Sequence, residues 1–321
     1  MAPRTLPSLR VWRCCADCTY RRKPLSRGVT SGDLNSFARI KIRMRRLRIS
    51  AISYLNTAPL MWDFEHGEAG RDFEISYTLP SACEGALAAG EADIGIIPAA
   101  AYAVIPGLQV LPRVAIASRR PVRSILLVSK VPIEKIRTVA LDTSSMTSTA
   151  LIRILFEKWL GGGRTFAPMT PDIDAMLRAY DAGLLIGDPA LRIDRSRYFT
   201  LDLADEWIRH TGKPFVFAFW AVREDALREA ASTLDLAGVF RQSRDHGLEP
   251  TSLGQIIREW APRLAMSESE VRSYLTHNIH YELDAECLQG LRLFYRYAAE
   301  IAALPPAPKL QFLEIAKAIS D

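Results

Sequence analysis

The sequence predicts an α/β protein of two lobes with a ligand-binding cleft between them. Three observations support this prediction. The chain has 321 residues, 49% of them hydrophobic, and can therefore bury enough apolar surface for two lobes. From residue 47 onward, apolar runs of strand length alternate with stretches of helical periodicity. In addition, residues 86–102 and 176–191 share one plan, a helix, an acidic turn, an apolar strand and then proline with small residues, which indicates lobes built alike.

Residues 1–46 differ in composition from the rest of the chain. They contain 12 Lys and Arg residues but only two acidic ones, Asp17 and Asp33. The remaining 29 basic and 34 acidic residues give a formal charge of about −5, so the overall charge of +5 does not indicate a nucleic-acid partner. This leader reads as disordered, and no apolar run in it has the length of a signal peptide or membrane anchor. The abundance of Arg and scarcity of acids would also fit a transit peptide, but we favour a dispensable tail or a misassigned start, with Met44 as the alternative initiator, and a cytoplasmic location.

The five cysteines predict neither a disulfide framework nor a structural metal site. Cys14, Cys15 and Cys18 lie in the leader, where one C-x-x-C pair without a second pair is a weak zinc signal. Cys83 and Cys287 are expected to be small core residues. The absence of disulfides would suit a cytoplasmic protein.

A βαβ unit is predicted at the start of the first lobe. Strands are expected at residues 47–53 and 73–79. The following segment, SACEGALAAGEADIGIIPAAAY, predicts a short helix and then a buried strand, ADIGIIP. Ser81 and Glu84 have the spacing of a capping box at the start of this helix, and Gly90 can end it.

Further strands and helices follow in alternation. Apolar runs predict strands at residues 108–117 and 123–130. The segment IRTVALDTSSMTSTALIRILFEKWLGGG predicts a strand, a polar loop and a helix that ends at glycines 161–163. DIDAMLRAYDAGLLIGDPAL predicts a helix and a strand, KPFVFAFWAV predicts a strong strand, and the chain from about residue 224 is nearly all helix.

These elements divide the chain into two lobes. The long strands at residues 123–130 and 215–222 are expected to cross between the lobes. Lobe 1 would then comprise residues 47–124 and 222–321, including the C-terminal helices, and lobe 2 would comprise residues 125–221. Small ligands bind preferentially at such interfaces, so we expect the functional site in the cleft.

The strongest chemical signal is the hydroxyl-rich stretch DTSSMTSTALIRIL at residues 142–155. Five of the six positions 143–148 are hydroxyl residues: Thr143, Ser144, Ser145, Thr147 and Ser148. The first turn of a helix has unpaired backbone N–H groups and a partial positive charge, so hydroxyls there can help to hold a carboxylate or phosphate without a basic side chain. The alternative is ordinary N-capping, for which one or two of these residues would suffice.

Other polar residues allow two interpretations each. Asn56 follows the first strand, in RISAISYLNTAPLMW, where an asparagine either shapes a turn or presents an uncharged amide to a ligand. Asp188, in IGDPAL, is either a general base at a strand end or a turn residue.

Two histidines are candidate metal ligands. His277 and His280 have i,i+3 spacing, with Glu282 and Asp284 close behind. No third ligand motif such as H-E-x-x-H accompanies them, so a role at a helix end or in the core is favoured.

Six motifs occur in the order that is typical of one enzyme family. They are SYLNTAPL, ADIGIIPAAAY, PVRSILLVS, DTSSMTSTAL, LLIGDPAL and GKPFVFAFWA, and the resemblance that they carry spans residues 47 to about 310. In these motifs the chain resembles the chorismate dehydratases of the futalosine route to menaquinone. The resemblance implies a periplasmic-binding-protein-like (type II) fold and a hydro-lyase that converts the small molecule chorismate into 3-[(1-carboxyvinyl)oxy]benzoate and water. It implies no cofactor and no metal, because aromatisation supplies the driving force.

The resemblance also implies which residues form the site. Asn56 matches a functionally important asparagine of the family, and Ser124 matches an active-site serine, so both are assigned as catalytic. The residues assigned to substrate binding are Ser145, Thr147 and Ser148, which match the family's hydroxyl-rich loop, and Thr143, Ser144 and Asp188, which lie beside matched motifs.

The implied mechanism is an E1cB-like elimination in which the substrate's own enolpyruvyl carboxylate takes the proton, with Asp188 as the alternative base. Because fold does not decide function, two other functions stay open. One is non-catalytic capture of a small anion by a solute-binding protein. The other is the processing of a futalosine derivative by an enzyme of the same fold.

Overall fold

The computed structural model describes residues 45–230 and 234–314. The leader up to Met44, with Cys14, Cys15 and Cys18, lies outside the described residues. Residues Met44–Asp321 group into one compact unit, which contains every element named below. In the described part of the chain, no helix is both long and apolar enough to cross a membrane.

The first lobe is built on a five-stranded mixed sheet with the order β2-β1-β3-β10-β4. Strands β1, β2 and β3 are parallel, whereas β10 runs antiparallel to β3 and β4. The bounds are β1 Leu47–Ile52, β2 Phe73–Thr78, β3 Ile94–Pro98, β4 Leu108–Ser118 and β10 Phe215–Arg223.

The second lobe repeats this arrangement in the order β7-β6-β8-β5-β9. Strands β6, β7 and β8 are parallel, and β5 runs antiparallel to β8 and β9. The bounds are β5 Ile125–Ser129, β6 Thr138–Asp142, β7 Thr165–Met169, β8 Ala182–Ile186 and β9 Phe199–Asp202. The two segments that look alike in sequence supply β3 and β8, the central strands of the two sheets, so the prediction of two similar α/β lobes is confirmed.

Eleven α-helices cover these sheets within the described residues. They are α1 Trp62–His66, α2 Pro80–Ala89, α3 Met146–Lys158, α4 Ile173–Ala179, α5 Gly187–Leu191, α6 Leu203–Thr211, α7 Glu224–Ala230, α8 Leu236–Gly247, α9 Pro250–Leu264, α10 Glu268–Ser273 and α11 Ala285–Glu300. A 3-10 helix at Leu55–Met61 and a π-helical turn at Tyr274–Asn278 also contribute to the site.

Most predicted elements agree with the structure because their sequences are dominated by burial. All five residues of β3 and of β8 are buried, as expected for central strands covered on both faces. Gly90 ends α2 in the left-handed conformation, with φ of 75°. Cys83 and Cys287 are free and buried, as predicted.

Two details of the sequence interpretation are wrong. The helix α2 begins at Pro80 with Leu79 as its N-cap and no side-chain cap bond, so Ser81 and Glu84 form no capping box. Proline has a fixed φ that suits the first position of a helix, which moves the start ahead of Ser81. The second detail concerns the strands predicted at residues 123–130 and 215–222, neither of which crosses between lobes. Strand β5 pairs only within the second sheet, and the boundary expected at residue 221 falls inside β10.

Strand β10 lies entirely in the first sheet, paired along its length with β3 and β4. The chain therefore passes between the sheets at residues 119–124 and 212–214, on either side of the second sheet. An apolar run of this length predicts a buried strand but does not say which sheet it joins.

Candidate active site

A small cavity lies between the two sheets, lined by residues of both. The first lobe contributes Asn56, the second contributes Ser145 and Ser148, and Ser124 lies where the chain passes from one sheet to the other. The remaining lining is mostly apolar, and none of the described residues that line the cavity is charged. An anionic ligand would therefore be held by hydroxyls, amides and backbone groups rather than by ion pairs.

Asn56 is held by the 3-10 helix that follows β1, and its side chain does not shape that turn. The turn is closed by backbone groups, with the Thr57 N–H donating to the Tyr54 carbonyl over 3.0 Å. Asn56 is not among the residues with positive φ, and its Oδ1 is buried without a hydrogen-bond partner in the described part of the chain. Asn56 therefore has neither the left-handed backbone nor the Oδ1 bond to its own backbone by which an asparagine shapes a turn. An unpaired buried acceptor costs about 1–3 kcal/mol, and a bound ligand would relieve this cost.

Ser124 is presented to the cavity by an unusual backbone conformation at the preceding residue. Arg123 has a φ of 66°, which side-chain-bearing residues adopt only at a cost of about 1–3 kcal/mol. The Asp202 carboxylate stabilises this conformation by accepting the N–H groups of Val122 at 3.1 Å and Arg123 at 2.6 Å. Burial raises the pKa of Asp202, while these backbone donors oppose the increase. The second lobe therefore fixes the position of Ser124.

The hydroxyl-rich stretch does begin a helix, as predicted. Ser145 is the N-cap of α3 and accepts the Ser148 backbone N–H at 3.2 Å. Its hydroxyl also donates to the Ser148 Oγ over 3.1 Å, which leaves the Ser148 proton available to another acceptor. Ser145 and Ser148 both line the cavity, so the partially positive N-terminus of α3 is directed at it.

Three other hydroxyl residues of this stretch do not line the cavity. Thr143 is exposed beside β7, and its N–H donates to the Met169 carbonyl at 3.3 Å. The Ser144 hydroxyl donates to Asp142 at 2.5 Å. Thr147 accepts the backbone N–H of Ala100 at 3.0 Å and thereby joins α3 to the first lobe. These residues hold the loop and the lobes together.

Asp188 lies at the start of the short helix α5 and also does not line the cavity. Its Oδ1 accepts the Leu55 N–H from the other lobe at 3.1 Å, which anchors the 3-10 helix that contains Asn56. Burial raises the pKa of Asp188 to about 6, against the opposing effects of the Leu55 N–H and of Arg192. The carboxylate thus has a defined inter-lobe partner.

Tyr54 lines the cavity, although no sequence pattern points to it. Its ring packs on Gly187, which has a φ of 62° and whose position would bring an added Cβ within 2.5 Å of the ring. Burial raises the pKa of the Tyr54 phenol to about 12, and a hydrogen bond with Ser144 opposes this change. Tyr54 therefore joins the lobes at the cavity wall. An aromatic residue after a strand is indistinguishable from a core residue in sequence.

The histidines belong to a helix end, as favoured from sequence. Asp284 is the N-cap of α11, accepts the Cys287 N–H at 2.9 Å and bonds His280 Nε2 at 2.7 Å. Together, His280, Asp284 and Cys287 have ligand atoms within 4.8 Å of one another. However, the Arg119 guanidinium donates to Asp284 at 2.6 Å, and this positive charge disfavours a metal cation. His277 is exposed.

The chain is similar to known proteins of one family. The family model described as menaquinone biosynthesis matches residues 47–300. A protein of Thermus thermophilus named chorismate dehydratase is 29% identical over 283 residues, which cover 83% of this chain and 98% of that protein.

Solved structures show the fold. A protein from Archaeoglobus fulgidus has a TM-score of 0.63 at 16% identity, over 81% of this chain and 98% of that chain. The periplasmic aliphatic sulphonate-binding protein of Escherichia coli has a TM-score of 0.57 at 19% identity, over 82% and 94%. The predicted periplasmic-binding-protein-like fold is therefore confirmed. Since the family model covers both lobes, the chain belongs to the menaquinone biosynthesis family.

Proposed function

We propose that the protein is a chorismate dehydratase that converts chorismate into 3-[(1-carboxyvinyl)oxy]benzoate and water. The main support is the uncharged cavity, in which Asn56 and Ser124 meet the hydroxyls of Ser145 and Ser148 at the N-terminus of a helix. The relative from Thermus thermophilus, named chorismate dehydratase, supports the same substrate.

The proposed reaction removes a proton from the ring carbon that bears the enolpyruvyl ether and a hydroxyl from the adjacent carbon. The two losses add up to one molecule of water, and the ring becomes aromatic without net oxidation or reduction. In an E1cB-like path, negative charge develops toward the ring carboxylate. Ser145, Ser148 and the first turn of α3 offer hydrogen-bond donors suited to that charge, and a dry site strengthens each of these bonds.

We assign the proton-abstracting role to the enolpyruvyl carboxylate of the substrate itself. Asp188, the alternative base, is occupied with the Leu55 N–H and does not line the cavity. In this scheme Asn56 and Ser124 orient the carboxylates and the departing hydroxyl. The unpaired Oδ1 of Asn56 is an acceptor suited to a hydroxyl donor, which chorismate possesses.

The test is to incubate the purified protein with chorismate and follow the ultraviolet spectrum for an aromatic product, whose identity mass spectrometry then establishes. Stoichiometric formation of the enol-ether benzoate with loss of one water would support the proposal. Tight binding of chorismate without turnover would instead identify an anion-binding protein. Neither binding nor turnover of chorismate, with turnover of a futalosine derivative, would identify the other enzyme of this fold.

A further inference from the structure

Tyr274 is a buried residue next to the cavity whose hydroxyl faces the proposed active-site serine. It belongs to the π-helical turn Tyr274–Asn278, and its side chain is 1% exposed. The Tyr274 hydroxyl donates to the Ser124 Oγ over 2.9 Å. Single π-helical turns occur frequently at functional sites, because they displace one side chain from its ordinary helical direction.

The hydrogen bond from Tyr274 constrains what Ser124 can do. A serine hydroxyl has one proton to donate and two lone pairs. Tyr274 occupies one lone pair of the Ser124 Oγ, and the Ser124 backbone carbonyl already accepts the Gly187 N–H at 2.8 Å. The proton of the Ser124 hydroxyl is therefore directed away from Tyr274, and Ser124 lines the cavity.

The protonation state of Tyr274 is suited to a permanent donor. Burial raises the pKa of its phenol above the ordinary value for tyrosine, and its hydrogen bonds with Ser124 and Asn56 oppose this only partly. The phenol therefore stays protonated at neutral pH. Its contacts with both Ser124 and Asn56 place it between the two residues assigned as catalytic.

The π-helical turn is fixed to the segment that joins the lobes. Ser118 donates its hydroxyl to the Asn278 carbonyl at 2.7 Å, and the Asn278 amide donates to the Pro121 carbonyl at 2.8 Å. A pair of backbone hydrogen bonds between Ala117 and His280 extends this attachment. The tyrosine and the serine are thus held by one rigid arrangement, although they are 150 residues apart.

We propose that Tyr274 is a positioning residue, which orients the Ser124 hydroxyl as a hydrogen-bond donor toward the substrate in the cleft. This inference rests on the proposed function, since the substrate is the acceptor. Tyr274 itself does not line the cavity and is not expected to touch the reacting atoms.

A second buried tyrosine supplies a matched control. Tyr281 is 5% exposed, and its hydroxyl is buried without a hydrogen-bond partner among the described residues. Replacing either tyrosine by phenylalanine removes one buried hydroxyl and keeps the ring in place. Only Tyr274→Phe removes a bond to Ser124.

The experiment measures kcat and KM with chorismate for the wild type, Tyr274→Phe, Tyr281→Phe, Ser124→Ala and the double variant Tyr274→Phe/Ser124→Ala. We expect Tyr274→Phe to lower kcat roughly 5- to 50-fold, the effect of one hydrogen bond, with KM changed less than about threefold. Tyr281→Phe should stay within about twofold of the wild type. In the Ser124→Ala background, Tyr274→Phe should have no further effect, because the group it acts through is gone.

The outcomes separate the inference from the function on which it rests. A wild type that turns over chorismate while Tyr274→Phe keeps its kcat would overturn the positioning role alone. An equal loss in Tyr281→Phe, or the same loss from Tyr274→Phe with and without Ser124, would reassign Tyr274 to packing. A folded wild type without turnover overturns the proposed function and the inference with it.

Discussion

Replacing Asn56 by aspartate tests the proposed site with almost no change of shape. If Asn56 only shaped a turn, aspartate would serve nearly as well, because both residues favour the same local conformations. In the structure, however, the turn is closed by backbone bonds, and the side chain lines an uncharged cavity. The substitution therefore removes an amide donor and places a carboxylate against an anionic substrate.

The expected penalty follows from the burial of the site. Loss of the donor together with repulsion between carboxylates costs roughly 2–5 kcal/mol where water is excluded. At about 1.4 kcal/mol per decade, kcat/KM should fall by about 30-fold to several-thousand-fold. The introduced carboxyl should also have a raised pKa, since it is buried beside an anion. The activity of the variant relative to the wild type should therefore recover as the pH is lowered and the carboxyl becomes neutral.

The assay is steady-state turnover of chorismate by Asn56→Asp between pH 5 and 8, with the melting temperature as the control. Asn56 is only partly buried, and its side chain closes no turn, so the melting temperature should change little. A well-folded variant within about threefold of wild-type kcat/KM would show that Asn56 only shapes a turn. It would also remove the main support for the site assigned here.

Three further substitutions test the contacts between the lobes. Asp188→Asn should keep kcat/KM within about threefold. Because burial raises the folded-state pKa of the Asp188 carboxyl to about 6, the unfolding free energy of the wild type should fall by up to about 3 kcal/mol from pH 4 to above pH 6. Urea unfolding should show no such fall for the variant. A large loss of turnover together with loss of a pKa near 6 from the pH–rate profile would make this residue the base. Gly187→Ala should lower kcat/KM at least about tenfold, because an added Cβ meets the Tyr54 ring at 2.5 Å. The control is Gly212→Ala, where φ is 65° and the space is open, so that the substitution should cost only about 1 kcal/mol of stability. Equal effects of the two substitutions on turnover would refute a role for the contact between Gly187 and Tyr54. Thr147→Val should destabilise the fold by about 1–3 kcal/mol, because it removes the hydroxyl that accepts the Ala100 N–H from the other lobe. Thr149→Val is the control on the same helix. A tenfold rise in KM without a change in melting temperature would show that Thr147 binds substrate instead.

Hydrophobic pattern predicted the central strands most directly, and it also predicted the edge strand β2, whose residues are mostly exposed or half-buried. Central strands such as β3 and β8 are continuous apolar runs, and hydrophobic periodicity detects them directly. The strands β7 and β9 escaped prediction because they are short sheet edges with partly exposed residues, and β7 contains Pro168. Edge strands depend on the neighbour they pair with, which local sequence does not specify.

The candidate site shows the same division. Local pattern identified the hydroxyl-rich start of α3, and the family motifs selected Asn56 and Ser124. Asn56, Ser124 and two of the hydroxyl residues, Ser145 and Ser148, line the cavity. Tyr54 and Tyr274 were missed, because each acts through a partner that is distant in sequence. A contact such as that between Ser124 and Tyr274 has no local signature and becomes visible only when the chain is folded.

Four of the five hydroxyl residues in the hydroxyl-rich stretch serve two different purposes. Ser145 and Ser148 line the cavity, whereas Thr147 bonds to the first lobe at Ala100, and Ser144 bonds to Tyr54 across the cleft. Neighbouring residues at the start of α3 therefore both bond to the first lobe and line the site. A change in lobe spacing would move the N-terminus of α3 relative to Asn56, so binding energy used to hold the lobes together also sets the geometry of the proposed reaction.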